Sequence, residues 1–231
     1  MTRSIVWISE NDAAETFPPV ERALKEPSGL LAAGGDLSPT RLLAAYRRGI
    51  FPWYSAGQPI LWWSPDPRAV LYPQALKISR SFAKTLRNRG YETRIDTAFD
   101  TVIRACGSTR LRPGGTWLSP EMTAAYQRLH ELGYAHSIET WLDGRLAGGL
   151  YDVSLGRVFF GESMFSTERD ASKVALKRLC DECMHREVAV IDCQMETPHL
   201  MSLGASLMTR AEFSRQVAVL TGTASTPRPW S

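Results

Sequence analysis

The chain has 231 residues, 44% hydrophobic and 22% charged, with 27 Lys plus Arg against 24 Asp plus Glu. This composition excludes a disordered, collagen-like or coiled-coil chain, and the length suits one large domain or a large and a small one. A net charge of +3 excludes a protein that coats nucleic acid, which would be far more lopsided.

In chain order, the apolar run at 5–8 is too short for a signal peptide and is followed at once by Glu10 and Asp12. No window approaches the roughly 20 apolar residues of a membrane span. Four cysteines are too few for a disulfide scaffold at this length and fit a reducing compartment, so a cytoplasmic protein is expected. Ser38-Pro39 opens a periodic run to Gly49: a hydroxyl cap, proline at the first helical position and a glycine stop. Residues 51–68 hold four prolines and three tryptophans, which forbids a long helix and predicts a domain junction near 64–68. The division is a small N-terminal domain at 1–66 and a larger domain at 67–231.

Beyond the junction, 69–72 and 91–95 are weaker strand candidates, and helices are predicted at 79–89 and 98–106. Ser119-Pro120 to Gly133 repeats the helix grammar, as does Thr197-Pro198 to Gly204. Strands are predicted at 137–142, 145–153, 157–160 and 188–192, with a hairpin turn at Asp143-Gly144. Helices are also predicted at 170–185 and 210–220, and the tail from Gly222 reads as frayed. Gly34-Gly35, Gly114-Gly115 and Gly148-Gly149 read as turns or close-packing points. A sheet with helices on its faces follows, so α/β or α+β.

The charge is unevenly placed: residues 1–66 carry net −1, 67–110 net +6 and 111–231 net −2. Arg80, Lys84 and Arg87 recur at i, i+4 and i+7 on one helix face, with Lys77 and Arg89 nearby. Such a stripe can bind phosphates in a salt-dependent way; a solvated helix face would show the same pattern.

No phosphate-cradling glycine motif and no G-x-S-x-G elbow occurs. Cys180-Asp181-Glu182-Cys183 has the spacing of half a zinc site, but it falls inside a helical pattern with no second pair. More informative are carboxylates set in apolar strand-like sequence: Glu162 within 159–165, and Asp192 with Gln194 two residues on. Neighbours at that spacing face one way in a regular strand. Buried carboxylates are costly unless partnered. The pattern predicts an acidic, apolar-walled pocket for a cation or an amine, with structural hydrogen bonding as the alternative. Tyr46, Phe51, Trp53, Trp62, Trp63, Trp117 and Phe159 are candidate walls, and a loop tryptophan such as Trp53 can stack a base.

The stretches AYRRGIFPW at 45–53, PILWWSPDPR at 59–68, GTW at 115–117, HELG at 130–133, HSIE at 136–139, GESMFS at 161–166, ASK at 171–173, IDCQ at 191–194 and SLGA at 202–205 are specific. With them the chain resembles the bacterial leucyl/phenylalanyl-tRNA–protein transferases, from about residue 17 to about 215. The resemblance implies a small N-terminal α/β domain and a larger acetyltransferase-like (GNAT) domain. It implies transfer of Leu or Phe from Leu-tRNA or Phe-tRNA to the N-terminal Arg or Lys of acceptor proteins, which tags them for the N-degron route; an apolar pocket that accepts both would accept Met as well. No metal and no coenzyme A are expected, and no R-x-x-G-x-[GA] acyl-CoA loop is present. The protein is expected to be monomeric.

The family's functional positions fall on Trp53, Trp117, Phe159, Glu162, Met164, Asp192 and Gln194, with Tyr46 added at the aminoacyl-tRNA site. In that scheme Met164 and Phe159 hold the Leu or Phe side chain, and Trp53 and Trp117 stack the terminal adenosine. Glu162 and Asp192 bind the cationic acceptor terminus, and Gln194 orients the amine. Arg80, Lys84 and Arg87 grip tRNA phosphates. A family aromatic in the helix after Ser172 falls here on Cys183. An acyl-CoA acyltransferase and a non-catalytic RNA-binding module are the rival readings.

Overall fold

The structure is a computed structural model that describes residues 5–108, 118–222 and 230. The chain starts in a small sheet. β1 (Val6–Ile8) pairs in parallel with β2 (Leu30–Gly34), α1 (Pro39–Tyr46) follows, and β3 (Phe51–Pro52) and β4 (Leu61–Trp63) complete the order β1-β2-β4-β3. Ser38 caps α1 by accepting from the Arg41 backbone N–H, with Pro39 at the first helical position.

The chain then crosses residues 64–67 into a larger unit. Its elements are β5 (Arg68–Leu71), α2 (Arg80–Asn88), β6 (Glu92–Ile95), α3 (Phe99–Ser108), α4 (Pro120–Glu131), β7 (Ala135–Leu142), β8 (Arg145–Leu155), β9 (Val158–Ser166), α5 (Ala171–His185), β10 (Val190–Gln194), α6 (Pro198–Ser202), β11 (Ser206–Met208) and α7 (Arg210–Thr221). Seven strands form one sheet in the order β11-β5-β10-β9-β8-β7-β6, antiparallel except for the parallel pair β9 and β10. The chain is thus mixed α/β, as expected.

Alternation along these strands divides the core. Val70, Tyr151 and Phe160 belong to a cluster with Phe99 of α3 and Tyr126 of α4; their neighbours Leu71, Leu150 and Phe159 belong to a second cluster with Leu176 and Leu179 of α5. Successive residues facing opposite sides place these helices on opposite faces of the large sheet. The first cluster also takes in Ile8, Leu31 and Trp62, so one core runs through both sheets. Gly148 lets α5 sit close on β8: a Cβ there would lie 2.7 Å from that of Ala171.

One expectation is corrected: Phe51, at the start of the proline-rich stretch 51–68, is not in an irregular loop but is buried and paired with Trp63 between β3 and β4. Of the tail expected to fray, residues 223–229 and 231 lie outside the described residues. Trp230 is 4% exposed and packs against His136 (4.9 Å between ring centroids), Phe159 (4.8 Å) and the Arg186 guanidinium.

Candidate active site

The parallel register of β9 and β10 ends at the pairs Ile191–Phe159 and Asp192–Phe160. Beyond it the strands part, and a cavity of about 360 Å³ opens between them, α5 and the start of α6. Leu150, Met164, Leu176, Leu179 and Ile191 give it apolar walls, and Asp152, Glu162, Asp192 and Gln194 give it a polar end.

Two bulges aim that polar end. Tyr151 pairs with Ser163 and Asp152 with Gly161, so Glu162 is the extra residue of β9. On β10, Asp192 pairs with Val70 and Gln194 with Ala69, so Cys193 is the extra residue. Bulges of this kind redirect side chains at functional sites. Gln194 also sits at φ +62°. The expectation that Asp192 and Gln194 face one way along a regular strand therefore fails, because the strand is not regular there. Instead the turn brings the Gln194 amide back to Glu162, where Nε2 donates to Oε1 at 3.1 Å.

Glu162 is enclosed by hydroxyls. Tyr46 Oη donates to Oε1 at 2.7 Å, Tyr126 Oη lies 2.7 Å from Oε2 at hydrogen-bond distance, and the two hydroxyl oxygens are themselves 2.7 Å apart. Burial pushes the carboxyl up to about 8; the hydrogen bonds shared with Tyr126 and Tyr46 oppose this, nearby Asp192 adds to it and Arg68 opposes it. The two tyrosines are raised well above their usual range by burial and by Glu162. A carboxyl near 8 is not the ready anion that the sequence reading assigned to the acceptor terminus.

Asp192 is placed differently again. Arg68 Nε donates to Oδ1 at 2.8 Å and Nη2 to Oδ2 at 2.6 Å, in a fully buried bidentate pair. The Gln194 backbone N–H donates to Oδ1 as well, at 2.9 Å. Arg68 is held between the Phe51 and Phe213 rings, its guanidinium carbon 4.9 and 4.5 Å from their centroids. Asp192 thus has a resident cation, and its geometry is that of a group that shapes the turn carrying Gln194.

Of the other predicted residues, Met164 lines the cavity and Tyr46 reaches it through Glu162. Phe159 does not line it; it is fully buried behind the wall, against Trp230. Trp53 is 39% exposed and packs on Trp63 at 5.6 Å, away from the cavity lining. Trp62 is core, its indole N–H donating to the Gly34 carbonyl. Arg80, Lys84 and Arg87 share the exposed face of α2, opposite buried Phe82 and Thr85. Trp117 and the Gly114-Gly115 pair lie outside the described residues. Cys180 and Cys183 are buried in α5 as free thiols, and burial pushes Cys180 up to about 12. Among the described residues no three His, Cys, Asp or Glu side chains gather as metal ligands would.

Three site residues escape the sequence reading. Arg68 is counted there as part of the basic excess, yet it is buried with Asp192. Tyr126 reads as core, since Met122, Tyr126 and Leu129 recur at helical spacing. Asp152 is 3% exposed, and its Oδ2 faces no hydrogen-bond partner among the described residues. Its position amid the apolar run of β8 was the available signal.

A buried carboxyl ring and a bulged strand at the mouth of an apolar cavity define an enzyme-like pocket. The profile of the leucyl/phenylalanyl-tRNA protein transferase family matches residues 70–218, and that of the family's N-terminal domain matches residues 35–66. A leucyl/phenylalanyl-tRNA–protein transferase of Azoarcus sp. (strain BH72) is 60% identical over 227 residues, 98% of this chain and 95% of the relative. One from Aromatoleum aromaticum is 62% identical over 215 residues, 93% and 91% of the two chains. The chain belongs to the leucyl/phenylalanyl-tRNA protein transferase family, and it is a transferase. Among solved structures, a ribosomal-protein-alanine N-acetyltransferase from Brucella melitensis overlaps 62% of this chain and 94% of its own, at 13% identity and TM-score 0.38. The L-PGS of Bacillus licheniformis overlaps 68% and 52%, at 10% identity and TM-score 0.42. No helix of the described residues is long and apolar enough to cross a membrane.

Proposed function

We propose that the protein transfers Leu or Phe, and Met, from aminoacyl-tRNA to the N-terminal Arg or Lys of acceptor proteins, marking them for the N-degron route. The observation that carries this reading is the cavity of about 360 Å³, apolar along its walls and polar at one end. That volume lies within the range of small-ligand sites. The walls, with Met164, receive the aminoacyl side chain. An apolar pocket separates near-isosteres by only ~1–3 kcal/mol per methylene, which suits tolerance of Leu, Phe and Met.

The polar end meets the attacking amine. The chemistry is aminolysis of an ester that is already activated, so positioning carries most of the acceleration; proximity can supply roughly 7–11 kcal/mol. Gln194 orients the amine: its Nε2 is committed to Glu162, which leaves its carbonyl oxygen to accept from an incoming N–H. Asp192 and Arg68 hold that turn in place. Trp53 and Trp117 stack the terminal adenosine, and Arg80, Lys84 and Arg87 bind tRNA phosphates. The division into 1–66 and 67–231, with an acetyltransferase-like second domain, belongs to this proposal. So does action as a monomer in the cytoplasm, which the free cysteines suit.

The test is transfer of labelled Leu from Leu-tRNA to a peptide beginning with Arg, comparing wild type with Glu162→Ala and Asp192→Ala. Transfer by wild type and its loss in both variants is expected. A wild-type protein that transfers nothing, or that takes an acyl group from coenzyme A instead, would overturn the reading.

A further inference from the structure

Glu162 Oε1, Tyr46 Oη, Tyr126 Oη and Glu162 Oε2 close a ring through three contacts, each of 2.7 Å. Oxygen pairs at that distance are hydrogen-bonded, and each bond needs one proton. The two tyrosine hydroxyls bring two protons. If Glu162 were a carboxylate, one of the three pairs would face lone pair to lone pair, whichever way the hydroxyls turned. One proton on Glu162 completes the set.

Gln194 decides where that proton sits. Oε1 already accepts from Gln194 Nε2 at 3.1 Å, which marks it as the carbonyl oxygen. The proton then lies on Oε2 and is donated to Tyr126, Tyr126 donates to Tyr46, and Tyr46 donates back to Oε1. Every oxygen in the ring is satisfied, as buried polar groups require.

We propose that Glu162 is a neutral carboxylic acid in the free protein at neutral pH, held so by Tyr46 and by Tyr126 as a positioning residue. The consequence for the reaction rests on the function proposed above. Aminolysis needs the amine unprotonated, and a nearby anion would favour the ammonium form instead. An unperturbed α-amine titrates near 7.7–8.0, so roughly a tenth to a sixth of it is already unprotonated at neutral pH, and a neutral Glu162 does not draw that fraction back to the ammonium form.

The other groups facing the ring fit this reading. Asp192 on β10 is neutralised by Arg68 on β5. Asp152 and Tyr151 on β8 are both raised well above their usual ranges, by burial first. The direction found for Glu162 itself agrees with the proton count.

The test uses the full chain with ¹³C-labelled glutamate carboxyls, titrated by NMR without substrate. One resonance, absent from Glu162→Gln, is expected to titrate near 8 while exposed glutamates titrate near about 4.3. If that variant fails to fold, the resonance is identified as the one that Tyr126→Phe moves. A Glu162 that titrates with the exposed glutamates would overturn the proposal.

A second arm follows single-turnover transfer against pH, corrected for ester hydrolysis. Wild type is expected to reach its alkaline plateau at a higher pH than Glu162→Gln, because ionised Glu162 holds the bound amine as ammonium. An identical pH dependence in both proteins would overturn the link between the ring and the amine. Titration near 8 in a protein that transfers nothing would support the ring and overturn the assigned function.

Discussion

Replacing Asp192 by Asn isolates the ion pair beneath the site. The change removes the charge that answers Arg68 and disrupts bonds from Nε at 2.8 Å and Nη2 at 2.6 Å. Two charge-assisted bonds at about 1.5–3 kcal/mol each set the scale. Removing one member of a buried pair costs roughly 3–5 kcal/mol, because the other charge stays behind unpaired. Here the stranded guanidinium would keep only the faces of Phe51 and Phe213. Against a typical total stability of about 5–15 kcal/mol, that loss is large. Urea unfolding followed by circular dichroism at pH 7 measures it. Arg68→Met is expected to lose a similar amount by stranding Asp192. The double variant should lose no more than either single one, since it leaves no buried charge and Met fills the space between the two rings. Additive losses in the double variant would refute the argument that these residues act as a pair.

Three further outcomes are expected. Glu162 is raised to about 8, so the folded chain keeps a proton that the unfolded chain releases above about 4.3. The stability this proton contributes is full below that point and is lost as pH rises towards 8. The stability of Glu162→Gln relative to wild type should therefore climb across the window, with a slope of up to about 1.4 kcal/mol per pH unit. A flat difference in urea midpoints would contradict the shifted carboxyl. Trp230→Ala should cost about 3–5 kcal/mol by opening the space beside His136 and Phe159. A thermal midpoint equal to that of wild type would show that the Trp230 side chain does not pack there. Reversing Arg80, Lys84 and Arg87 to Glu should raise the KM for aminoacyl-tRNA and reduce its salt slope by about one for each phosphate no longer neutralised. A short aminoacyl-adenosine should be little affected, and an unchanged slope would remove α2 from the RNA-binding face.

Much of the fold was legible because its signals are local. Ser38, Ser119 and Thr197 each cap a helix as their hydroxyl-proline pairs predict, accepting from Arg41, Met122 and Leu200. The alternation at 137–142 and 145–153 became β7 and β8, joined at Asp143 and Gly144, both at positive φ as a tight hairpin turn requires. The small first sheet was less legible. β2 is buried along its whole length, so its run of apolar residues shows no period, and β1, β3 and β4 are too short to show one.

The sequence by itself determined which residue types the site would use. Glu162, Asp192, Gln194 and Met164 stand out because polar groups in apolar strands, or beside them, demand a partner or a purpose. It also determined the basic face of α2, because helical spacing alone places Arg80, Lys84 and Arg87 together. Only the tertiary structure decided the charge each acid carries. Asp192 meets Arg68 from a position 124 residues away, and Glu162 meets Tyr46 and Tyr126 at separations of 116 and 36 residues. The net charge of +3 and its +6 segment include Arg68, although it is buried in that ion pair. Burial and proton sharing depend on which side chains the packed sheet brings within hydrogen-bond reach. No local pattern carries that information.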